Sequence, residues 1–99
     1  MDEPDVWVAK DDGTDIIRAR QIASVGIDYN GNVTARLADG EAAIVTLVAH
    51  SPHHDPHTPD DFHRQLIRVI AELSDAAGAF MVRPVRDDQR GWRWVAEPL

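Results

Sequence analysis

The sequence contains no cysteine, and this absence excludes several chemistries at once. A chain without thiols has no disulfide scaffold, no thiolate zinc site and no cysteine nucleophile. No run approaches the ~20 consecutive apolar residues that a membrane span needs, and the acidic start lacks the basic region that opens a signal peptide. These absences predict a cytoplasmic protein with no membrane-inserted part.

Basic residues are also few, because ten Lys and Arg face seventeen Asp and Glu, for a formal net charge of −7. The excess of acid lies mainly in residues 1–15 and 50–63. Binding to a phosphate backbone needs clustered cations, so we do not expect a nucleic-acid partner. Two interpretations of the acidity stay open: it keeps the chain in solution, or it steers a basic partner.

The length of 99 residues, 43% of them hydrophobic, predicts one small domain over residues 1–99. Area scaling indicates that about 65% of the unfolded surface is buried in a chain of this size. A domain this small rarely encloses a deep pocket. The nucleophile-elbow and phosphate-loop patterns are missing, and paired aspartates such as Asp87-Asp88 fall in turns. We therefore expect no enzymatic activity.

Two hairpins are predicted in the first half of the chain. A turn at Asp12-Gly13 pairs Val8 with Ile17 and Trp7 with Arg18. A second loop of three residues, 29–31, pairs Ile27 with Val33, because only this register brings the apolar residues of both strands to one face. A turn or bulge near residues 20–22 is needed between the hairpins to keep a common apolar face.

The clearest element is a helix over residues 59–77. Thr58 is the predicted N-cap, Pro59 suits the first helical position, and Gly78 suits the position after the end. The predicted apolar face consists of Phe62, Leu66, Val69, Ile70, Leu73 and Ala77. Its spacing of three and four residues is typical of a helix that packs on one side.

The element order β-β-β-β-α-β-β predicts an α+β fold, with a mainly antiparallel sheet of about six strands and one helix packed on one face. Residues 42–49 are apolar on both faces and are predicted to form a central strand, whose register the pattern leaves open. A terminal hairpin with the four-residue loop 88–91 pairs Trp94 with Val85. Pro84 is expected in an edge strand, or at a position whose N–H would face solvent.

Tryptophan and arginine concentrate near the C-terminus, and two interpretations are favoured for them over a third, the binding of single-stranded nucleic acid, which the acidity of the rest of the chain disfavours. The ordinary one is that the indoles complete the core, with arginines lying over their edges. The other is a binding surface for a protein partner, since Trp and Arg are enriched at interaction hot spots. The residues of this predicted surface are Trp7, Arg83, Trp92, Arg93 and Trp94.

Four histidines lie within eight residues, at His50, His53, His54 and His57. Imidazole binds divalent metals, so the alternative prediction is a zinc-binding protein that uses this loop. The spacing matches none of the recurrent zinc patterns, and a solvated polar loop explains the same residues. Protonation of all five histidines of the chain would change its formal charge from −7 to −2, so a response to pH is a further possibility.

These patterns together predict a small binding or regulatory module without cofactor, which acts through contact with a protein. The partner is another protein or a second copy of this chain, because exposed sheet edges in a small domain favour strand pairing.

Overall fold

A computed structural model describes residues 5–38, 43–50 and 58–99 of the chain. The described part contains seven strands and one α-helix. The strands are β1 Asp5–Ala9, β2 Ile16–Arg18, β3 Ile22–Ile27, β4 Val33–Leu37, β5 Ile44–Val48, β6 Ala79–Asp87 and β7 Gly91–Pro98. The helix, α1, spans Phe62–Leu73, and a short 3-10 turn, Ala19–Gln21, lies between β2 and β3.

The α+β class with one helix and mostly antiparallel strands is confirmed. The strand count and the arrangement of the sheet differ from the prediction, because the seven strands form two sheets. One sheet has the order β2-β1-β6-β7 and the other the order β3-β4-β5. The pairing of β1 with β6 is parallel, as the long connection through the second sheet and the helix allows. The remaining pairings are antiparallel.

The change of sheet occurs at the 3-10 turn between β2 and β3. The sequence predicted an interruption here, and the turn confirms it, together with a register irregularity between Ile22 and Ser24. The chain leaves the first sheet at Arg18 and enters the second at Ile22. A second connection joins the sheets at the β1–β2 turn, where the Asp11 amide donates to the Leu47 carbonyl at 2.8 Å.

The prediction that residues 42–49 form a central strand is wrong. Within the described residues, β5 pairs with β4 alone and lies at the edge of the three-stranded sheet. A bulge explains the misleading pattern, because Val33 pairs with Val48 whereas Thr34 pairs with Thr46. Leu47 is the extra residue, so both Leu47 and Val48 are buried although they are neighbours in sequence.

The helix is shorter at both ends than the predicted 59–77. It begins after Asp61 and not after Thr58. The Asp61 carboxylate does not cap a backbone N–H and instead accepts a hydrogen bond from the Gln65 side-chain amide at 2.9 Å. It ends at Leu73, because the Ser74 hydroxyl donates to the Ala71 carbonyl at 2.6 Å and closes the last turn locally. Gly78 has a φ of 107°, but it lies four residues beyond Ser74.

The terminal hairpin has a register one residue away from the predicted one. Trp94 pairs with Pro84, and not with Val85. The Asp87 carboxylate accepts a hydrogen bond from the Gln89 backbone amide at 2.8 Å. This bond shortens the loop to three residues, so Asp87 pairs with Gly91 and β7 begins at Gly91. Pro84 lies in β6, which is an interior strand of its sheet, so the expectation of an edge strand is wrong. The sheet accommodates the missing N–H because Pro84 lies beyond Val82, where the pairing of β6 with β1 ends.

One core joins the helix and both sheets. Phe62 and Leu66 of α1 are fully buried, and α1 contacts β6 and β7 of one sheet and β3 and β4 of the other. The buried cluster contains Val6, Val8, Val33, Ala35, Leu47, Val48, Phe62, Leu66, Val82 and Trp94. The four-stranded sheet thus buries one face against the helix, and this arrangement fixes the direction of every side chain discussed below.

Candidate protein-interaction surface

The five residues of the predicted surface lie on opposite faces of the four-stranded sheet. Side chains alternate along a strand, and Trp94 shares a face with the buried Val82. Trp92, two residues away, lies on the same inner face. Trp7, Arg83 and Arg93 occupy the alternate positions and point to the outer face. The structure therefore brings three of the five residues to one face and separates the other two from them.

Trp94 completes the core, as the ordinary interpretation has it. Its indole stacks on Phe62 with ring centroids 4.6 Å apart, and its N–H donates to the Phe62 carbonyl at 2.8 Å. Only 9% of the residue is exposed. Trp92 is half-buried and packs edge-to-face with Phe62, with ring centroids 6.3 Å apart. Both indoles hold the start of α1 against the sheet.

The outer face of the four-stranded sheet is defined here by the alternate positions of its four strands. These residues are Asp5, Trp7, Ala9, Ile16, Arg18, Ala79, Met81, Arg83, Val85, Asp87, Gly91, Arg93, Val95 and Glu97. The helix and the second sheet belong to the core on the inner side. In the described part of the chain, the outer face is consequently covered by neither of them.

Apolar side chains form the middle of this face. Trp7 pairs with Met81 across the parallel strands, and the Arg18 guanidinium lies over the Trp7 ring at 4.6 Å from its centroid. Met81, Val85 and Val95 are half-buried, and Ile16 is 48% exposed. A tryptophan and an arginine in contact within an apolar patch are the residue types that dominate binding energy at protein interfaces.

The charges of the outer face are balanced, in contrast with the rest of the chain. Three arginines face three acidic residues in the set that defines the face, whereas the whole chain carries −7. Arg83 and Glu97 form an ion pair of 3.1 Å, and the Arg18 Nε lies 3.8 Å from the Asp5 carboxylate. Both pairs are half-exposed, so they contribute little to stability but fix where charge is presented.

A cleft of about 310 Å³ opens on the outer face beside the β1–β2 turn. Its apolar lining includes Ala9, Ile16 and Met81, and charged groups such as Arg83 and Glu97 also line it. A cleft of this kind suits a single side chain of a partner better than a metabolite, because small-molecule sites bury most of their ligand.

A separate apolar groove, which was not predicted from the sequence, lies between α1 and β3. It has a volume of about 210 Å³, and its lining includes Ile22, Val25, Ile67 and Ile70. Ile67 is 55% exposed. Ile67 is an apolar residue that lies outside the buried stripe of α1. This apolar residue on the exposed side of the helix was the one feature of the sequence that could have indicated the groove.

Asp12 and Asp87, each from a predicted aspartate pair, act in turns as the sequence predicted, and so does Asp28, which belongs to no pair. The Thr14 hydroxyl and amide donate to Asp12 and lower the pKa of its carboxyl. The Asn32 amide and side chain lower the pKa of Asp28 in the same way, and the Gln89 amide lowers that of Asp87. Asp12 and Asp28 are exposed and Asp87 is half-buried. The lowered pKa keeps these carboxylates ionised, which suits turn formation rather than proton transfer.

Of the predicted metal ligands, only His50 lies in the described part of the chain. Its amide donates to the Asn32 side-chain oxygen at 2.7 Å. His53, His54 and His57 fall outside the described residues, so the zinc site stays a prediction. Among residues 5–38, 43–50 and 58–99, no three His, Asp or Glu side chains are grouped as a metal would require.

Comparison with protein-family models, with curated proteins and with solved structures finds no match to this chain. No helix among the described residues combines the length and the apolar character that a membrane crossing requires.

Proposed function

We propose that this protein is a small interaction module without catalytic activity, which binds a protein partner through the outer face of its four-stranded sheet. The observation that carries the proposal is the mixed chemistry of a face that lies away from the core. Trp7, Met81 and Val95 form its apolar middle, and arginines ion-paired to acids surround them. The cytoplasmic location stays a prediction from composition.

The chemistry of the face restricts the kind of partner. Its balanced charges favour a partner surface with an apolar centre and charges of both signs around it. A phosphate backbone is disfavoured, because the three arginines of the face are offset by Asp5, Asp87 and Glu97. The cleft beside the β1–β2 turn supplies a position for one anchoring side chain of that partner.

A matched pair of isoleucines tests the proposal. Ile16 on the outer face and Ile67 beside α1 are 48% and 55% exposed, so Ile16→Asp and Ile67→Asp make the same chemical change on different surfaces. The tagged wild type and both variants are used to capture proteins from cells that make this chain, with quantitative mass spectrometry as the readout. Circular dichroism verifies that each variant is folded.

We expect at least one protein that is enriched by the wild type and by Ile67→Asp, and depleted about tenfold or more by Ile16→Asp, as loss of a hot-spot contact would give. Arg83→Ala is expected to deplete the same protein. If Ile16→Asp and Arg83→Ala retain everything that the wild type captures, the outer face is not the binding surface.

A further inference from the structure

The outer edge of β7 is the longest strand edge in the described structure. β7 spans Gly91–Pro98 and is the last strand in the order β2-β1-β6-β7, so no described strand pairs with its far side. Its eight pairs with β6 run without a register shift. Natural proteins protect such an edge by a bulge, a short strand, a proline or charged side chains. The β3 and β5 pairings carry irregularities and β2 has three residues. β7 has neither a bulge nor a short length, its proline is its last residue, Pro98, and its two charges are of opposite sign.

The sequence of β7 is complementary to itself in one antiparallel register. Arg93 and Glu97 lie two residues before and two residues after Val95, and all three point to the outer face. When two copies of β7 pair about a two-fold axis through Val95, each Arg93 lies opposite the other copy's Glu97. The same register places the large Trp94 opposite the small Ala96. Moving the axis by one residue, to Trp94 or Ala96, removes both charge pairs.

We propose that a second copy of this chain pairs with β7 in this register, so that two four-stranded sheets join into one sheet of eight strands. The pairing gives two Arg93–Glu97 contacts across the axis, in addition to backbone hydrogen bonds. Each Glu97 already lies 3.1 Å from Arg83 of its own chain. In the dimer each Glu97 therefore lies between two arginines, one from each copy.

Electrostatics favour the edge of β7 over other surfaces as the contact between two copies. Two chains of charge −7 repel each other, so self-association needs a surface where opposite charges face each other. β7 meets that condition, because its charged residues are Arg93 and Glu97 alone. The dimer leaves Trp7 and Met81 accessible on β1 and β6. Dimerisation therefore goes beyond the proposed function, and it neither requires nor blocks the binding of a partner to the outer face.

A charge exchange tests both the dimer and its register. Sedimentation velocity over a concentration series measures the dissociation constant of the wild type, Arg93→Glu, Glu97→Arg and the double variant. We expect a wild-type dimer, at least about a tenfold weaker dimer for each single variant, and partial recovery in the double variant, where the exchanged charges again face each other with opposite sign but position 97 lies beside Arg83 of its own chain. A wild type that stays monomeric at high micromolar concentration overturns the proposal, and so does a double variant as weak as the single ones.

Cysteine cross-linking gives an independent readout, because the natural chain has no cysteine. Two Val95 residues on the axis have Cα atoms about 4.5–5.5 Å apart in antiparallel strands, which is within disulfide range. Val95→Cys is therefore expected to form a covalent dimer on mild oxidation.

Ala96→Cys is the matched control, since two such residues lie diagonally at about 7–8 Å and beyond easy reach. Preferential cross-linking at position 96, or none at either position, contradicts the register. The capture experiment with Ile16→Asp can succeed in either case, so the two proposals fail separately.

Discussion

Trp94 performs two tasks with one side chain, because its ring stacks on Phe62 and its N–H binds the Phe62 carbonyl. Both contacts lie at the beginning of α1, where the helix meets β7. Since the hydrogen bond is buried, its loss leaves a polar group with fewer partners in a dry environment. Such losses cost about 1–3 kcal/mol.

Trp94→Phe is expected to lower the free energy of unfolding by about 1–3 kcal/mol, measured by urea denaturation. Trp7→Phe is the matched control on the opposite face, where only the partly exposed contact with Arg18 is weakened. That contact is worth about 0.5–1 kcal/mol. Equal losses in the two variants would contradict the assignment of Trp94 to the core and Trp7 to the outer face.

We expect Asp28 to make stability depend on pH. The Asn32 and Asn30 amides and the Asn32 side chain donate to its carboxylate and lower its pKa below the usual 3.8. Because the folded pKa is the lower one, the stabilisation is present above the unfolded value and is lost as pH falls through the folded value. Asp12 and Asp87 act in the same direction.

We therefore expect the free energy of unfolding of the wild type to fall below about pH 4, and Asp28→Asn to reduce that dependence while lowering stability at neutral pH. Urea denaturation at several pH values measures both quantities. A variant that keeps the full acid dependence of the wild type would show that the Asp28 turn does not contribute to it.

At the scale of elements, the sequence predicted a hairpin correctly where burial distinguished its registers. In the β3–β4 hairpin, only one loop length brings Val25, Ile27 and Val33 to one face, and the structure has that register. In the β6–β7 hairpin both faces carry apolar residues, so burial did not choose between loops of three and four residues. The local hydrogen bonds of Asp87 decided the register instead, and this decision moved Trp94 into the core.

The β3–β4 turn depends on Gly31, whose φ is 86°. A Cβ at this position would lie 3.0 Å from the His50 ring, whereas at Gly13, with a φ of 74°, nothing lies within 4 Å. Left-handed backbone costs a residue with a Cβ about 1–2 kcal/mol. Gly13→Ala should show that cost alone, and Gly31→Ala should show it together with the contact to His50.

Thermal or urea denaturation of both alanine variants measures the difference. We expect Gly31→Ala to be the less stable of the two, and His50→Ala to recover part of the difference when it is combined with Gly31→Ala. If the two single variants lose equal stability, His50 does not pack against this turn.

At the scale of the whole molecule, the division into two sheets was beyond the sequence pattern. Apolar alternation shows which side of a strand is buried, but it does not show which strand lies beside it, and the parallel pairing of β1 with β6 joins residues more than seventy positions apart. For the same reason, the five residues of the predicted surface lie on two different faces of the sheet. Trp7 and Arg83 share a face through that long-range pairing, whereas Trp92 and Trp94 belong to the other side of β7.

The chain carries a net charge of −7, whereas the charges of the outer face are balanced, and the central claim is that a protein binds to this face. Photo-cross-linking in the cells that make this chain tests it most directly. A benzophenone amino acid replaces Met81 or Ile16 on the outer face, and Ile67 beside α1 is the matched control. We expect covalent adducts with another protein from positions 81 and 16 and none from position 67. Adducts from position 67 alone, or none from positions 81 and 16, would contradict the account.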